Sequence, residues 1–407
     1  MKSFSRHQLL AAMLIAMMAV HGYILWSSRS QWLKGYGDFS AFYTAGSLVL
    51  RGQGAQLYNR DAQWTVQREF VSEAKTRHEP RPYVRPPYQA LLFVPFAAWP
   101  YPVALLLWTA FKIGLLFAIP LIVAGAGAWR EAFPPWTVSL LSLGTLPVFI
   151  DILQGQDSVL LAFLFAIAFW QLRNGKDQGA GLTLGLGLFK FHIVLPFVAM
   201  AIIVGRRKLA AGFAFMTAAV LAASAALVGW RGLVEYPKYL LSLNRTSGIE
   251  FVRPEYQINL RGLLTFFVGR SAYPGRVHWL LLPAALIAIT YVGIVWRRAG
   301  NRMLAEGFGL ALITAIVTSY YAYSYDLTAL AVPLLGAGPR PPQDSNRLTS
   351  RLERAGAFLL LCTPVYWFVK RLQAEHLIAL LLIALAWGLI GRLRQSAPAV
   401  VPAESAS

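Results

Sequence analysis

Long apolar stretches separated by short polar segments, many of them basic, recur along almost the whole chain. Ten stretches are assigned as membrane spans, namely 9–26, 102–126, 135–150, 159–172, 209–228, 279–296, 303–319, 327–335, 355–369 and 376–390. The hydrocarbon core of a bilayer is about 30 Å thick, a distance that about 20 helical residues cross. Lipid offers no partner for backbone N–H and C=O groups, so only helices and closed barrels span it. The pattern therefore predicts an all-α polytopic membrane protein.

Two further apolar stretches are irregular. Residues 88–99 lie between prolines and are too short to cross upright, so we expect an interfacial or re-entrant helix there. Residues 180–205 are long enough, but Lys190, His192 and Pro196 interrupt their middle.

Basic residues in short loops mark the cytoplasmic side of a membrane protein. The basic segments 173–178 and 206–208 share that side only if residues 180–205 fold as a broken hairpin with Lys190 and His192 near its tip. We therefore expect roughly ten to twelve membrane helices, this hairpin included.

This topology places every unusual polar segment on the outer side. The two long outer-face loops are 28–86, with an amphipathic helix, and 229–277, and the short turns are 154–157 and 320–325. Residues 1–394 form one multi-pass domain, and residues 395–407 are expected to be a disordered cytoplasmic tail.

Composition agrees with a membrane protein: 57% of the 407 residues are hydrophobic and 14% are charged. The net charge of +19 is spread over loops of many spans and not over one face, so we expect membrane lipids and no nucleic acid as partners. Cys362 is the single cysteine, which excludes an intrachain disulfide and a thiol metal site.

Asp38 is the most informative polar residue, because it lies just beyond the first span and before the helix that begins at Phe39. An acid at the water edge of a membrane protein is a functional-site candidate. It could cap that helix, or it could act as a general base or as an orienter of an acceptor hydroxyl.

Two cations are candidates for binding a phosphate. Arg85 precedes Pro86-Pro87 at a membrane entry, where its guanidinium could fork onto a phosphate or snorkel to lipid headgroups. Lys190 lies inside the hairpin and needs an anion, either a lipid phosphate or the carboxylate of Asp157 or Asp151.

The outer loops and turns hold further polar candidates, each of which has a structural alternative such as a helix cap, a solvated loop or an aromatic belt. They are Gln156, Asp157, His192, Asn259, Tyr325 and Asp326 for substrate contact, and Arg253 and Arg261 for phosphate. The chain has no GxxxxGK[ST], HExxH or cysteine-nucleophile motif, so nucleotide chemistry and zinc hydrolysis are not expected.

Taken in order, several motifs resemble glycosyltransferase family 87, the bacterial polyprenol-phosphate-mannose-dependent mannosyltransferases of the GT-C membrane superfamily. The resemblance spans roughly residues 30–335. The matching segments are Gly37-Asp38-Phe39 with Tyr43, Gly52 and Leu57-Tyr58, then Tyr83-x-x-Pro86-Pro87 with Pro95, Gly155-Gln156, Gly181-x-x-x-Gly185 with Lys190 and Pro196, and Asn259-x-x-Gly262.

The resemblance implies a GT-C type fold, a lipid-phosphate sugar donor, an inverting displacement on the outer face and a catalytic Asp that maps onto Asp38. It also places Tyr43 among the substrate contacts. Family members related to phosphatidylinositol-mannoside synthesis carry a histidine and a tryptophan in the late turn, where this chain has Tyr320–Asp326. The inositol-mannoside acceptor is therefore not transferred to this chain.

The sequence thus predicts a glycosyltransferase of the bacterial cytoplasmic membrane, with its site facing the periplasm or cell exterior. It moves a hexose, with mannose expected, from a polyprenyl-phosphate donor to a lipid or glycan acceptor, without a metal or other cofactor. Cations would stabilise the leaving phosphate. The alternatives are a transporter or flippase of a polyprenyl-linked or anionic substrate and a non-enzymatic scaffold. An outer cavity lined by Asp38 favours the transferase, whereas inverted repeats favour a transporter.

Overall fold

The structure is a computed structural model that describes residues 6–71, 80–123, 133–245, 256–268, 275–336 and 362–395. Across these residues the chain is helical and contains no β-strand. The α-helices of this part are α1 Arg6–Ser27, α2 Arg29–Leu33, α3 Phe39–Leu50, α4 Arg60–Arg68, α5 Ala90–Ala97, α6 Tyr101–Val123, α7 Pro135–Ser142, α8 Leu146–Gln154, α9 Ser158–Arg173, α10 Asp177–Leu186, α11 Phe191–Val204, α12 Arg207–Arg245, α13 Leu260–Val268, α14 Gly275–Ala299, α15 Leu304–Thr318, α16 Ala331–Gly336, α17 Thr363–Arg371 and α18 Ile378–Gln395.

Within the described residues, six helical runs are long and apolar enough to cross a membrane. They are Gln8–Ser27, Tyr101–Val123, Asp177–Val204, Arg207–Leu243, Trp279–Ala299 and Glu375–Gln395. The pair α7–α8, bent by 65°, is a seventh if it counts as one broken span. Fewer helices meet this test than the ten to twelve expected. Helices α9 and α15 have only 16 and 15 residues, the predicted span at 327–335 is a 3₁₀ helix followed by the short α16, and the hairpin counts as one run. The predicted span at 355–369 begins outside the described residues. The all-helical, multi-pass prediction is confirmed.

Residues 177–204 form the predicted broken hairpin. As one straight helix, these 28 residues would hold their ends about 40 Å apart. Instead, Arg206 Nη1 lies 3.0 Å from Asp177 Oδ1, so α11 returns to the start of α10. The reversal occurs at a 3₁₀ turn, Gly187–Lys190, which places Lys190 at the hairpin tip.

Glycines let the hairpin pack closely against α12. A Cβ atom at Gly181 would lie 2.0 Å from the Leu209 carbonyl oxygen, and one at Gly185 would lie 2.6 Å from Met216 Cβ. The role in close helix packing that the glycine spacing predicts is therefore confirmed at these two positions.

The basic segments predicted to share one side do lie at one end of the helix bundle. Arg206 Nη2 donates to Asn301 Oδ1 at 2.8 Å, and Arg392 lies 3.9 Å from Glu306. We call this the basic end. Helix α9 runs from Ser158 to Arg173, about 24 Å away, so residues near Ser158 lie at the opposite end.

The two segments predicted as long outer loops contain helices that pack into the rest of the chain or extend a span. Helix α3 is enclosed rather than amphipathic at a surface, since nine of its twelve residues are buried. Its hydroxyl groups bond within the chain, as when Thr44 donates to the Ser40 carbonyl at 2.6 Å. In the second loop, α12 breaks at Gly229, whose φ is +72°, and then continues to Arg245. The predicted tail at 395–407 lies outside the described residues except for Gln395, which ends α18.

Candidate active site

Asp38 sits at the start of α3 and does not cap it. Its side chain accepts no hydrogen bond from the helix N-terminus. Instead, Oδ1 accepts from Arg81 Nη1 at 2.7 Å, and Oδ2 accepts from Gln156 Nε2 at 2.6 Å. The carboxylate remains 29% exposed. The capping interpretation of Asp38 is therefore wrong, and two side chains from distant segments hold the carboxylate instead.

Close backbone contacts bring Asp38 to the turn that carries Gln156. A Cβ atom at Gly37 would lie 2.9 Å from the Gln154 carbonyl oxygen. Gly155 ends α8 with a left-handed φ of +68°, and a Cβ there would lie 2.5 Å from Phe39 Cβ. Glycine is required at 155 for both reasons.

Gln156 connects Asp38 to a buried ion cluster. Its Oε1 accepts from Arg85 Nη2 at 3.3 Å, and the same Nη2 donates to Asp157 Oδ1 at 2.8 Å. Asp157 Oδ2 accepts from Gln89 Nε2 at 2.9 Å. Burial opposes ionisation of Asp157, which lies in the turn between α8 and α9, but Arg85 and Lys190 lower its pKa to about 2.

Lys190 lies between two carboxylates at the hairpin tip. Its Nζ is 3.1 Å from Asp157 Oδ1 and donates to Asp326 Oδ1 and to Ser158 Oγ. Only 1% of the side chain is exposed. Of the anions that the sequence allows for Lys190, the structure supplies Asp157, together with Asp326, and not Asp151.

Asp151 has a different cation, Lys112 of α6. Lys112 Nζ donates to Asp151 Oδ1 at 2.7 Å, and both side chains are fully buried. Asp151 Oδ2 accepts from the backbone N–H of Ser158 at 2.8 Å, which caps α9. This pair therefore fixes the helix start that presents Asp157 and Ser158 to Lys190.

A cavity of about 550 Å³ lies beside these groups, at the end of the bundle opposite the basic end. Asp38, Arg81, Arg85, Gln156 and Asp326 line it. Further lining residues come from the hairpin, the α12 end, the late turn and the C-terminal part of the chain, namely Lys190, His192, Leu240, Leu243, Tyr256, Tyr321, Tyr323, Tyr325, Lys370, Gln373 and Glu375.

Four of the described residues predicted to bind substrate or phosphate do not line the cavity, namely Tyr43, Asp157, Asn259 and Arg261. Asp157 instead pairs with Arg85 and Lys190. Tyr43 donates to the Trp99 carbonyl at 2.9 Å inside an aromatic cluster. Asn259 donates to the Ser319 carbonyl at 2.9 Å and accepts from the Gly262 N–H, so it joins α13 to the late turn. Arg261 stacks on Tyr320, with its guanidinium carbon 3.9 Å from the ring centroid. Arg253 lies outside the described residues.

Sequence reasoning missed Arg81, Lys112 and the C-terminal wall of the cavity. Arg81 lies 43 residues from the carboxylate that it pairs with. Lys112 sits inside an apolar span, and a charge there is the signal that could have identified it. Nothing in the local sequence of 370–375 indicates contact with the cavity.

Comparison with known proteins identifies the family. Residues 83–324, more than half of the 407, match Glycosyltransferase family 87. The match includes Arg85, Gln156 and Lys190, begins after Asp38 and Arg81, and ends before Asp326. No curated protein and no solved structure matches significantly. Because of this family match and its helical membrane fold, the chain belongs to glycosyltransferase family 87 and is a multi-pass membrane glycosyltransferase.

Proposed function

We propose that this glycosyltransferase moves a hexose, with mannose expected, from a polyprenyl-phosphate sugar to a hydroxyl group of a lipid or glycan acceptor. The observation that carries the proposal is the partly exposed Asp38 carboxylate on the cavity wall, fixed by Arg81 and Gln156. A carboxylate held this way, beside two guanidinium groups, suits a displacement in which a base takes the proton of an acceptor hydroxyl while a phosphate leaves the sugar.

Asp38 is the general base of this proposal. Each carboxylate oxygen accepts one hydrogen bond from the protein and keeps acceptor capacity for a substrate hydroxyl. The acceptor oxygen attacks the anomeric carbon as Asp38 takes its proton, and the bond from that carbon to the phosphate oxygen breaks. Attack opposite the leaving group inverts the anomeric centre. Such a base contributes about 10²- to 10⁴-fold in rate.

Arg81 and Arg85 are the proposed contacts for the leaving phosphate. Both line the cavity beside Asp38, and the Nε–H of each is buried without a hydrogen-bond partner. Buried donors are normally satisfied, and a phosphate oxygen accepts strongly from guanidinium groups. Lys190, enclosed by Asp157 and Asp326, acts by holding Arg85 in place through Asp157.

The charge distribution supports an outer-face site. The basic end carries Arg206, Arg297, Arg298 and Arg392, and the positive-inside rule assigns such an end to the cytoplasm. The cavity, at the other end, then opens toward the periplasm or cell exterior of a bacterial cytoplasmic membrane. Membership of a glycosyltransferase family removes the grounds for the transporter and scaffold alternatives.

A donor panel tests the proposal. The purified protein in lipid vesicles is given radiolabelled polyprenyl-phosphate mannose, glucose or arabinose together with a cell-envelope extract. We expect transfer from the mannose donor, with an inverted anomeric configuration in the product by NMR. Transfer from none of the three donors, or retention of configuration, contradicts it.

A further inference from the structure

One wall of the cavity comes from the C-terminal turn, residues 370–375, between α17 and the 3₁₀ helix Glu375–Leu377. Lys370, Gln373 and Glu375 all line the cavity that contains Asp38. None of these three side chains is needed as the base or as a contact for the leaving phosphate.

The C-terminal turn is anchored on both sides. On one side, Thr363 Oγ1 of α17 donates to the Gly144 carbonyl at 2.8 Å. On the other, the ring of His376 stacks on Phe266 with the ring centroids 4.2 Å apart. Glu375 is buried, and its Oε1 lies 3.8 Å from Lys370 Nζ. The wall is therefore a fixed part of the cavity.

Gln373 has an unusual backbone conformation. Its φ is +53°, and it is the one non-glycine residue with a positive φ among the described residues. It follows the end of α17, where the N–H of Ala374 bonds to the Val369 carbonyl at 3.0 Å. Helix ends of this kind favour glycine, because a side chain in the left-handed region is strained. Glutamine at this position suggests that its side chain has a use that glycine cannot supply.

The chemistry of the wall suits a polyhydroxylated ligand. A carboxamide both donates and accepts hydrogen bonds, as sugar hydroxyls do, and the Lys370 ammonium adds donors. The guanidinium groups of Arg81 and Arg85 already meet the need of the donor phosphate. Resting on the Proposed function, we propose that Gln373, with Lys370 beside it, binds hydroxyl groups of the acceptor and sets acceptor specificity.

The kinetic test separates the two substrates. Gln373→Gly removes the carboxamide and relieves the strained φ, so we expect an unchanged or higher melting temperature. With octyl α-D-mannopyranoside as acceptor probe, we expect the acceptor KM to rise about five- to ten-fold, as for loss of one or two hydrogen bonds. The donor KM should stay the same. Arg371→Ala, an exposed neighbour outside the cavity lining, is the matched control and should change neither KM.

An unchanged acceptor KM in Gln373→Gly, or an equal rise in the donor KM, overturns the inference. A binding measurement tests the inference without turnover. It uses saturation-transfer NMR of methyl α-D-mannopyranoside with the protein in lipid nanodiscs. We expect half-maximal signal at the same ligand concentration in wild type and in Asp38→Asn, and at a concentration about five- to ten-fold higher in Gln373→Gly. No wild-type signal, or an equal half-maximal concentration in Gln373→Gly, contradicts the inference. If the wild-type protein transfers no sugar but its NMR signal depends on Gln373, the result contradicts only the Proposed function.

Discussion

Gln156 donates its amide N–H to Asp38 Oδ2 at 2.6 Å, across 118 residues of chain. The same amide accepts from Arg85 through Oε1. One side chain therefore joins the carboxylate proposed as base to a guanidinium proposed to bind phosphate. Both ends of its amide are used, which fixes its orientation.

Gln156→Ala should lower the transfer rate about 10- to 100-fold, because Asp38 and Arg85 lose a shared partner and their alignment. The donor KM should change less than the rate. Initial rates at saturating donor check this, with the exposed Gln53→Ala as control. Wild-type rates in Gln156→Ala would show that the bridge has no part in transfer.

Lys190→Met should destabilise the protein by about 3–5 kcal/mol, because it leaves Asp157 and Asp326 buried against each other without this cation. Thermal unfolding in lipid nanodiscs measures the loss. Lys190→Met combined with Asp326→Asn removes one of the two negative charges and should recover part of it. A double variant no more stable than Lys190→Met contradicts this electrostatic account.

Lys112→Met should lower the free energy of unfolding by a similar amount, about 3–5 kcal/mol, since Asp151 is fully buried and loses its cation. The consequence should extend to the site, because Asp151 caps the start of α9. Hydrogen exchange should therefore quicken at Ser158 and Val159, whose N–H groups bond to Asp151. Unchanged exchange at these two amides would mean that the pair does not hold the helix start.

Gly181→Ala should lower the melting temperature markedly, because the new methyl group would lie 2.0 Å from the Leu209 carbonyl oxygen and separate α10 from α12. Gly114→Ala in α6 is the matched control. A Cβ there meets no atom within 4 Å, and alanine favours the helix, so this variant should be neutral or slightly more stable. Equal melting temperatures for the two variants would contradict the close contact.

Local sequence patterns predict the helices well, but they do not predict which side chains of the site pair with each other. The lengths of the apolar stretches predict the spans, and the basic segments around 180–205 predict a hairpin, in which the structure brings Arg206 to Asp177. The enclosure of α3 was not predictable, because burial of its polar face depends on partners from elsewhere in the chain.

The residues of the site were likewise predictable only in part. Asp38, Arg85, Gln156, Lys190 and Asp326 stand out as polar residues at the edges of apolar stretches, and they do line one cavity. Their partners do not stand out. The Arg81–Asp38 pair and the wall at Gln373 arise from contacts between segments far apart in sequence, which leave no periodic signal.

The transfer rate of Asp38→Asn tests the central claim most directly. Asparagine keeps the size and an acceptor oxygen but cannot take the acceptor proton, so we predict a loss of about 10²- to 10⁴-fold. Asp61→Asn, an exposed acid in the same loop, should retain the wild-type rate. Both variants should keep the wild-type melting temperature within a few degrees. A folded Asp38→Asn protein that transfers sugar at the wild-type rate would contradict the assignment of Asp38 as the base.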